Sequence, residues 1–283
     1  MSIFKDKPTP FFDLAIHDLG RMPSFTCGIA GYEQKQWRDE AMANYLFEWL
    51  PEFALKYSEL EDFNSGTGMR LIKKAAKTVY TTDKYQKRGE FGELLLHALI
   101  REVFSSEPAI SKIYYKTAAN DTVKGFDAVH VVENSGELEL WLGEVKFYKK
   151  LREAIRDVVP ELKKHTERDY LRDEFILIAS KIDDAWAHAD KLRQLISERT
   201  SLDVLFKRTC VPVLLTYESD CVDKHTESCS SFSSTVRDEL EDAYKAFCGQ
   251  ALPKIKVHLF LVPMHKKEAL VRVLHEKLEG LQR

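Results

Sequence analysis

Lys124-Gly125-Phe126-Asp127-Ala128-Val129-His130-Val131-Val132-Glu133, then Asn134-Ser135-Gly136, then Glu137-Leu138-Glu139-Leu140-Trp141-Leu142-Gly143-Glu144-Val145-Lys146 is the stretch whose reading organises the chain. Two apolar runs flank an Asn/Ser/Gly turn, which predicts a β-hairpin. Each run carries charge out of place: Asp127 in the first, Glu144 and Lys146 in the second. Side chains alternate along a strand, so Glu144 and Lys146 share a face with Leu138, Leu140 and Leu142. An apolar face that ends in a carboxylate and an ammonium is not a solvated face, and burying either charge alone is costly. Two readings follow: a structural salt bridge, or an acidic metal site with a lysine beside it. In the second, Asp127 and Glu144 hold a hard divalent cation through oxygen. The cation polarises a phosphoryl group and activates a water, and Lys146 steadies the attacking water or the developing negative charge. That is the equipment of a metal-dependent phosphodiesterase.

The bare spelling Asp…Glu-x-Lys is weak in a chain with 31% charged residues. Glu161-Leu162-Lys163 repeats it inside a predicted amphipathic helix. Only Glu144-Val145-Lys146 ends a hydrophobic strand, follows an Asp on the paired strand, and precedes a basic helix start at Lys149, Lys150 and Arg152. The convergence of three or four charges favours the metal site over a bare ion pair. Upstream, a helix over 90–104 presents Leu94, Leu95, Ala98, Leu99 and Val103 on one face. Glu90, Glu93 and His97 share a neighbouring face. On their own, glutamates in a first helical turn are explained by the helix dipole.

At 283 residues and 44% hydrophobic content, one large domain with a sizeable core is expected. A net charge of −3 argues against a globally basic nucleic-acid binder and leaves room for a local basic groove. Five scattered cysteines suit reduced thiols. The opening Met-Ser-Ile-Phe-Lys-Asp-Lys has no signal-peptide apolar stretch. No run reaches the roughly 20 apolar residues of a membrane span. The expectation is a soluble, cytoplasmic protein without membrane contact.

The rest of the chain is read as a helical N-terminal region (1–85), a catalytic domain (86–265) and a C-terminal helix (266–283). A strand is predicted over 11–19. A helix is predicted over 32–50 with Trp37, Ala41, Tyr45 and Trp49 on its core stripe, ended by Pro51, with further helices over 52–60 and 69–80. Strands are predicted over 111–117, 175–179, 211–216 and 255–262. Helices are predicted over 149–168, where Pro160 is an irregularity, and over 184–199, 232–247 and 266–281. Alternating strands and helices predict an α/β layered sheet. Residues 218–234 read as a polar loop. There Cys221, His225 and Cys229 have atypical zinc spacing and lack an evident fourth ligand. His130 reads as a sheet histidine, and His17, His165, His188, His258 and His265 show no grouping. No Walker A loop or nucleophile elbow is present.

Gly-Glu-Phe-Gly-Glu (89–93), Lys-Gly-Phe-Asp (124–127) and Leu-Gly-Glu-Val-Lys-Phe-Tyr (142–148) resemble the HamA family, the nuclease subunits of the bacterial Hachiman anti-phage system. The resemblance covers about residues 85–265. It implies a restriction-endonuclease-like PD-(D/E)xK fold, a mixed sheet flanked by helices. It also implies a Mg²⁺-dependent DNA nuclease of low specificity, with Mn²⁺ a substitute. Carried onto this sequence, Asp127 and Glu144 bind the metal and Lys146 assists the nucleophile. Glu90 or Glu93, with Glu93 preferred, is the helix-borne acid. Lys124, Lys149, Lys150 and Arg152 flank the DNA phosphate. Phe126 stands where the superfamily name places proline, and no Gln-x-x-x-Tyr follows the motif. The implied partner is a superfamily 2 helicase subunit, HamB. The other reading is a non-catalytic regulator or DNA clamp of that helicase.

Overall fold

The computed structural model describes residues 3–79, 89–110 and 125–283. The strand expected over 111–117 and the cation Lys124 lie outside these residues. After a 3-10 turn at Ile3–Lys5 come β1 (Asp13–Asp18), β2 (Ser24–Ile29) and a small hairpin of β3 (Tyr32–Glu33) and β4 (Gln36–Trp37). Helices α1 (Asp39–Glu48), α2 (Leu50–Ala54), α3 (Tyr57–Leu60), α4 (Gly68–Val79) and α5 (Glu90–Val103) follow. Then come β5 (Ser106–Ile110), β6 (Ala128–Asn134), β7 (Glu137–Phe147), α6 (Leu151–His165), α7 (Arg168–Ala179), α8 (Ala189–Leu195) and α9 (Leu202–Lys207). The chain ends with β8 (Thr209–Glu218), α10 (Asp220–Lys224), α11 (Ser230–Cys248), β9 (Lys256–Met264) and α12 (Lys267–Gln282).

These elements build a mixed α/β sheet of seven strands in the order β1-β2-β9-β8-β7-β6-β5, flanked by helices. The centre, β2-β9-β8-β7, is parallel, and both edges are antiparallel. β8 is covered on both faces, and its middle, Cys210–Leu215, is correspondingly apolar. It even holds Pro212, which has no N–H for a ladder. The β7–β8 pairing is recorded on either side of it, at Trp141↔Cys210 and Glu144↔Val213.

The expected β6–β7 hairpin forms, with Asn134 opposite Glu137 and Ser135 and Gly136 at positive φ in its turn. Elsewhere the structure differs from the sequence reading. The N-terminal region is not purely helical, because β1 and β2 extend the main sheet, β2 pairing parallel with β9. Residues 32–50 are not one helix. Gln34 and Lys35 turn at φ 48° and 65°, so Trp37 reaches the core from a hairpin while Tyr45 and Trp49 reach it from helix or helix end. The run 175–179 is the end of α7, not a strand. Leu171, Glu174, Phe175 and Ile178 are buried at helical spacing and Ile176 is 57% exposed. The fourth strand of the hairpin's sheet is therefore β8. The helix expected over 184–199 shortens to α8, and the expected loop 218–234 contains α10 and the start of α11. Pro160 sits within an unbroken α6. The final helix packs on α1 and α4, where Gln282 Nε2 donates to Ala76 O at 3.0 Å.

Two cores separate across the sheet. Trp141, Val145 and Phe147 of β7 belong to one, with α5. Leu138, Leu140 and Leu142 belong to the other, with α7 and α8.

Candidate active site

The alternation of β7 delivers Glu144 and Lys146 to one face, in line with Leu138, Leu140 and Leu142. Glu144 is 1% exposed and Lys146 9%. Both stand near the carboxyl end of a parallel-paired strand, where α/β sheets gather their ligands. Asp127, just before β6, donates its N–H to Gly143 O at 2.7 Å. Its Oδ2 accepts the N–H of Val145 at 2.8 Å, so the carboxylate is held by the main chain between Glu144 and Lys146. Gly125 makes room for the approach to Asp127: a Cβ there would stand 2.6 Å from Glu174 Oε1 on α7.

The opposite face of β7 is set by α5. A Cβ on Gly92 would meet Val145 Cγ1 at 2.7 Å, and one on Gly143 would meet Leu96 Cδ2 at 2.6 Å. Glycine at both positions lets helix and hairpin touch. Glu90 and Glu93 open α5, partly exposed, across β7 from the face of Glu144. Among the described residues no three His, Cys, Asp or Glu side chains gather into a metal-holding group. Asp127 and Glu144 are brought close enough for the Asp127 charge to act on the Glu144 carboxyl. Of the expected phosphate contacts, Lys149 pairs with Glu268, Lys150 pairs with Glu153 at 3.2 Å, and Arg152 is exposed.

Two residues of the site escape a reading of the sequence alone. Glu161, part of the helical copy of the motif spelling, accepts a hydrogen bond from Lys146 Nζ. His165, read as ungrouped, bonds Glu144 Oε1 through Nδ1. Its ring stacks on Tyr170 at 4.4 Å and meets the edge of Phe126 at 5.4 Å. The signal available was their i, i+4 spacing on the helix that follows the motif.

Burial dominates the titration of Glu144 and pushes its pKa up, with His165 pulling the other way and Asp127 adding to the rise. Burial acts to lower His165 and Lys146, but their carboxylate partners outweigh it and both move up. For His165 those partners are Glu144, Glu161 and Asp127, and for Lys146 they are Glu161, Glu144 and Asp127.

Elsewhere, His130 is buried as expected of a sheet histidine, between His97 Nδ1 at 3.2 Å and Ser106 Oγ at 3.3 Å. His225 Nδ1 lies 2.8 Å from Cys221 O, and burial pushes the Cys221 thiol up to about 11, which suits a thiol better than a zinc thiolate. All five cysteines are free thiols. No helix among the described residues is long and apolar enough to cross a membrane.

Fold and site together define a mixed α/β protein with a buried carboxylate–lysine centre at the end of its central hairpin. The HamA family model matches residues 9–278, and the chain belongs to the HamA family. Anti-bacteriophage protein A of Escherichia coli (strain K12) is 23% identical over 263 residues, 87% of this chain and 46% of that protein. The chain thus spans about half the length of this curated relative.

Proposed function

We propose that the chain is a Mg²⁺-dependent deoxyribonuclease of anti-phage defence, of the restriction-endonuclease-like PD-(D/E)xK kind. It cuts DNA phosphodiester bonds with low sequence specificity when a superfamily 2 helicase partner of the HamB type releases it. The defence role is supported by the family and by the name of the E. coli relative. The chemistry rests on one observation, buried Glu144 and Lys146 near the end of β7 with the half-buried Asp127 carboxylate held between them by Val145 N–H.

The donors suit a hard cation. Both are carboxylates, and Mg²⁺ takes one or two carboxylates and completes its shell with water and substrate phosphate. Burial beside Asp127 penalises the charged form of Glu144, a penalty that a divalent ion offsets. Bound by Asp127 and Glu144, the ion would supply Lewis-acid polarisation of a phosphoryl oxygen and a water of lowered pKa. Asp127, fixed through Val145 N–H, keeps its other oxygen aimed by the strand rather than by a mobile side chain. Lys146 carries three N–H donors for the attacking water or the phosphate oxygens. Arg152 and the start of α6 contact the DNA backbone, which positions a strand without reading sequence.

A non-catalytic subunit of the helicase complex is the second reading. It is favoured by the lack of a three-ligand group among the described residues and by the partners that Glu144 and Lys146 already have on α6. Supercoiled plasmid, Mg²⁺ and the wild-type chain, with and without the helicase and ATP, separate the two beside Glu144→Ala. Mg²⁺-dependent nicking or degradation that vanishes in the variant is expected. A folded chain in its assembled complex that cleaves under no condition would move the assignment to the non-catalytic subunit.

A further inference from the structure

Glu161 and His165 lie four residues apart on α6, and Lys146 and Glu144 lie two apart on β7. Four helical residues rise about 6.0 Å and two strand residues about 6.6 Å, so the two pairs match in spacing. They also match in polarity: the helix sets carboxylate then imidazole against ammonium then carboxylate. Each member of the Glu-x-Lys motif is thus gripped by one side chain of a single helical turn.

The chemistry of the grip mirrors the chemistry proposed for the site. An imidazole occupies the Glu144 oxygen that a cation needs. A carboxylate occupies the ammonium that a phosphate needs. We propose that the last turn of α6 is an autoinhibitory clamp, with His165 standing in for the metal ion and Glu161 for the DNA phosphate, so that neither enters until this turn leaves β7. The inference rests on the metal-site reading above and adds its regulation.

The turn begins at the weakest rung of its helix. Pro160 immediately precedes Glu161 and has no N–H to give to the carbonyl four residues back, so α6, though continuous through this point, lacks that one rung where the clamp begins. At the far end Thr166 Oγ1 donates to Leu162 O at 2.7 Å and to Lys163 O at 3.1 Å, closing the turn on itself. Lys163 and Lys164 are exposed on the same turn and offer an anionic strand a handle on the part that must shift. Leu162 anchors the turn in the core and keeps the clamp shut in the absence of such a pull.

The test is Mn²⁺ binding to the full chain followed by electron paramagnetic resonance, without DNA or partner. A clamp that holds the open form to a small fraction weakens apparent affinity by that fraction. His165→Ala is therefore expected to bind Mn²⁺ about ten-fold tighter or more, and His165→Asn, the smaller change in shape, to move the same way. A histidine that merely supports the fold gives no gain in affinity when removed. Unchanged or weaker binding in both variants, each folded by circular dichroism, overturns the clamp. Glu144→Ala separates the two levels of the argument. Binding lost in Glu144→Ala but not raised by His165→Ala sinks the clamp alone, whereas Mn²⁺ binding indifferent to Glu144 sinks the metal site and the clamp with it.

Discussion

Gly92 and Gly143 are where single atoms decide whether the site can assemble. They bracket the contact between α5 and the β6–β7 hairpin. A methyl on Gly92 would sit 2.7 Å from Val145 Cγ1 and 2.8 Å from Phe147 Cβ, closer than packed carbons stand. Neither neighbour is the loose end of a flexible chain, so the helix must lift. Gly92→Ala is expected to destabilise the protein by about 1–3 kcal/mol in urea unfolding, in the range of overpacked cores. Because Val145 holds Asp127 through its N–H, the same shift loosens the carboxylate, and the plasmid assay should fall with it. An alanine variant as stable as wild type would mean that α5 is not seated on β7 as described.

At the scale of elements, buried charge ties α5 to the N-terminal helices. Arg101 is 1% exposed. It donates to both Glu52 oxygens, to Ser106 O and, at 2.7 Å, to Phe4 O, and so joins α5 to α2, β5 and the first turn. His97 Nε2 lies 3.3 Å from the same Glu52. Burial would raise the Glu52 pKa, but His97 and Arg101 more than offset it and hold the carboxyl below its usual range. Arg101→Ala leaves that carboxylate buried with one cation fewer and is expected to cost about 3–5 kcal/mol. The double variant Glu52→Gln, Arg101→Met removes both charges and should cost clearly less in the same denaturation series. If the double change is the worse one, the pair is a net stabiliser and not a matched liability.

The sequence was legible where one local rule was enough. The β6–β7 hairpin, the common face of Glu144 and Lys146, α5 and α12 follow from turn chemistry and periodicity. It was illegible where tertiary context chose between periods, as with Phe175–Ala179, whose five apolar residues fit strand or helix equally until α7 begins upstream. β2 pairs with β9 more than two hundred residues later, a partnership that no local pattern encodes. His165 was missed for a related reason. A lone histidine on a helix acquires meaning only when the helix is laid over the strand, and then its spacing from Glu161 becomes the informative feature.

For the whole molecule, the buried histidines set the response to acid. His258 is enclosed beneath Phe104 and Phe260, between Ser24 Oγ at 2.8 Å and Thr26 Oγ1 at 2.9 Å. Burial pushes its pKa down to about 3, with His17 and Lys256 adding to the fall. His130 and His97 are also lowered, chiefly by burial. An unfolded histidine titrates near 6.5, so below that pH the unfolded chain binds protons that the folded chain refuses. Stability contributed by these neutral rings is therefore present above about pH 6.5 and is lost as pH falls towards each folded value. His165 works in the opposite sense, its folded value being raised, but below about pH 6.5 it is protonated in both states and adds no slope. His258 alone should then remove about 1.4 kcal/mol of stability per pH unit through the range between about 6 and 4, with His130 and His97 adding in the same direction. The carboxyls of Glu144, pushed up to about 7, and Asp39, pushed up to about 6 by burial, take up protons in the fold over the same range and act in the opposite sense, so the ring contribution is read as the difference in urea midpoint between wild type and His258→Gln at pH 7, 6 and 5. In His258→Gln, which keeps a donor and an acceptor without the titration, the dependence should lose the equivalent of one proton. A difference between wild type and His258→Gln that stays constant from pH 7 to 5 would mean that the His258 ring takes up its proton in the fold as readily as in the unfolded chain, against its enclosure by Phe104, Phe260, Ser24 and Thr26.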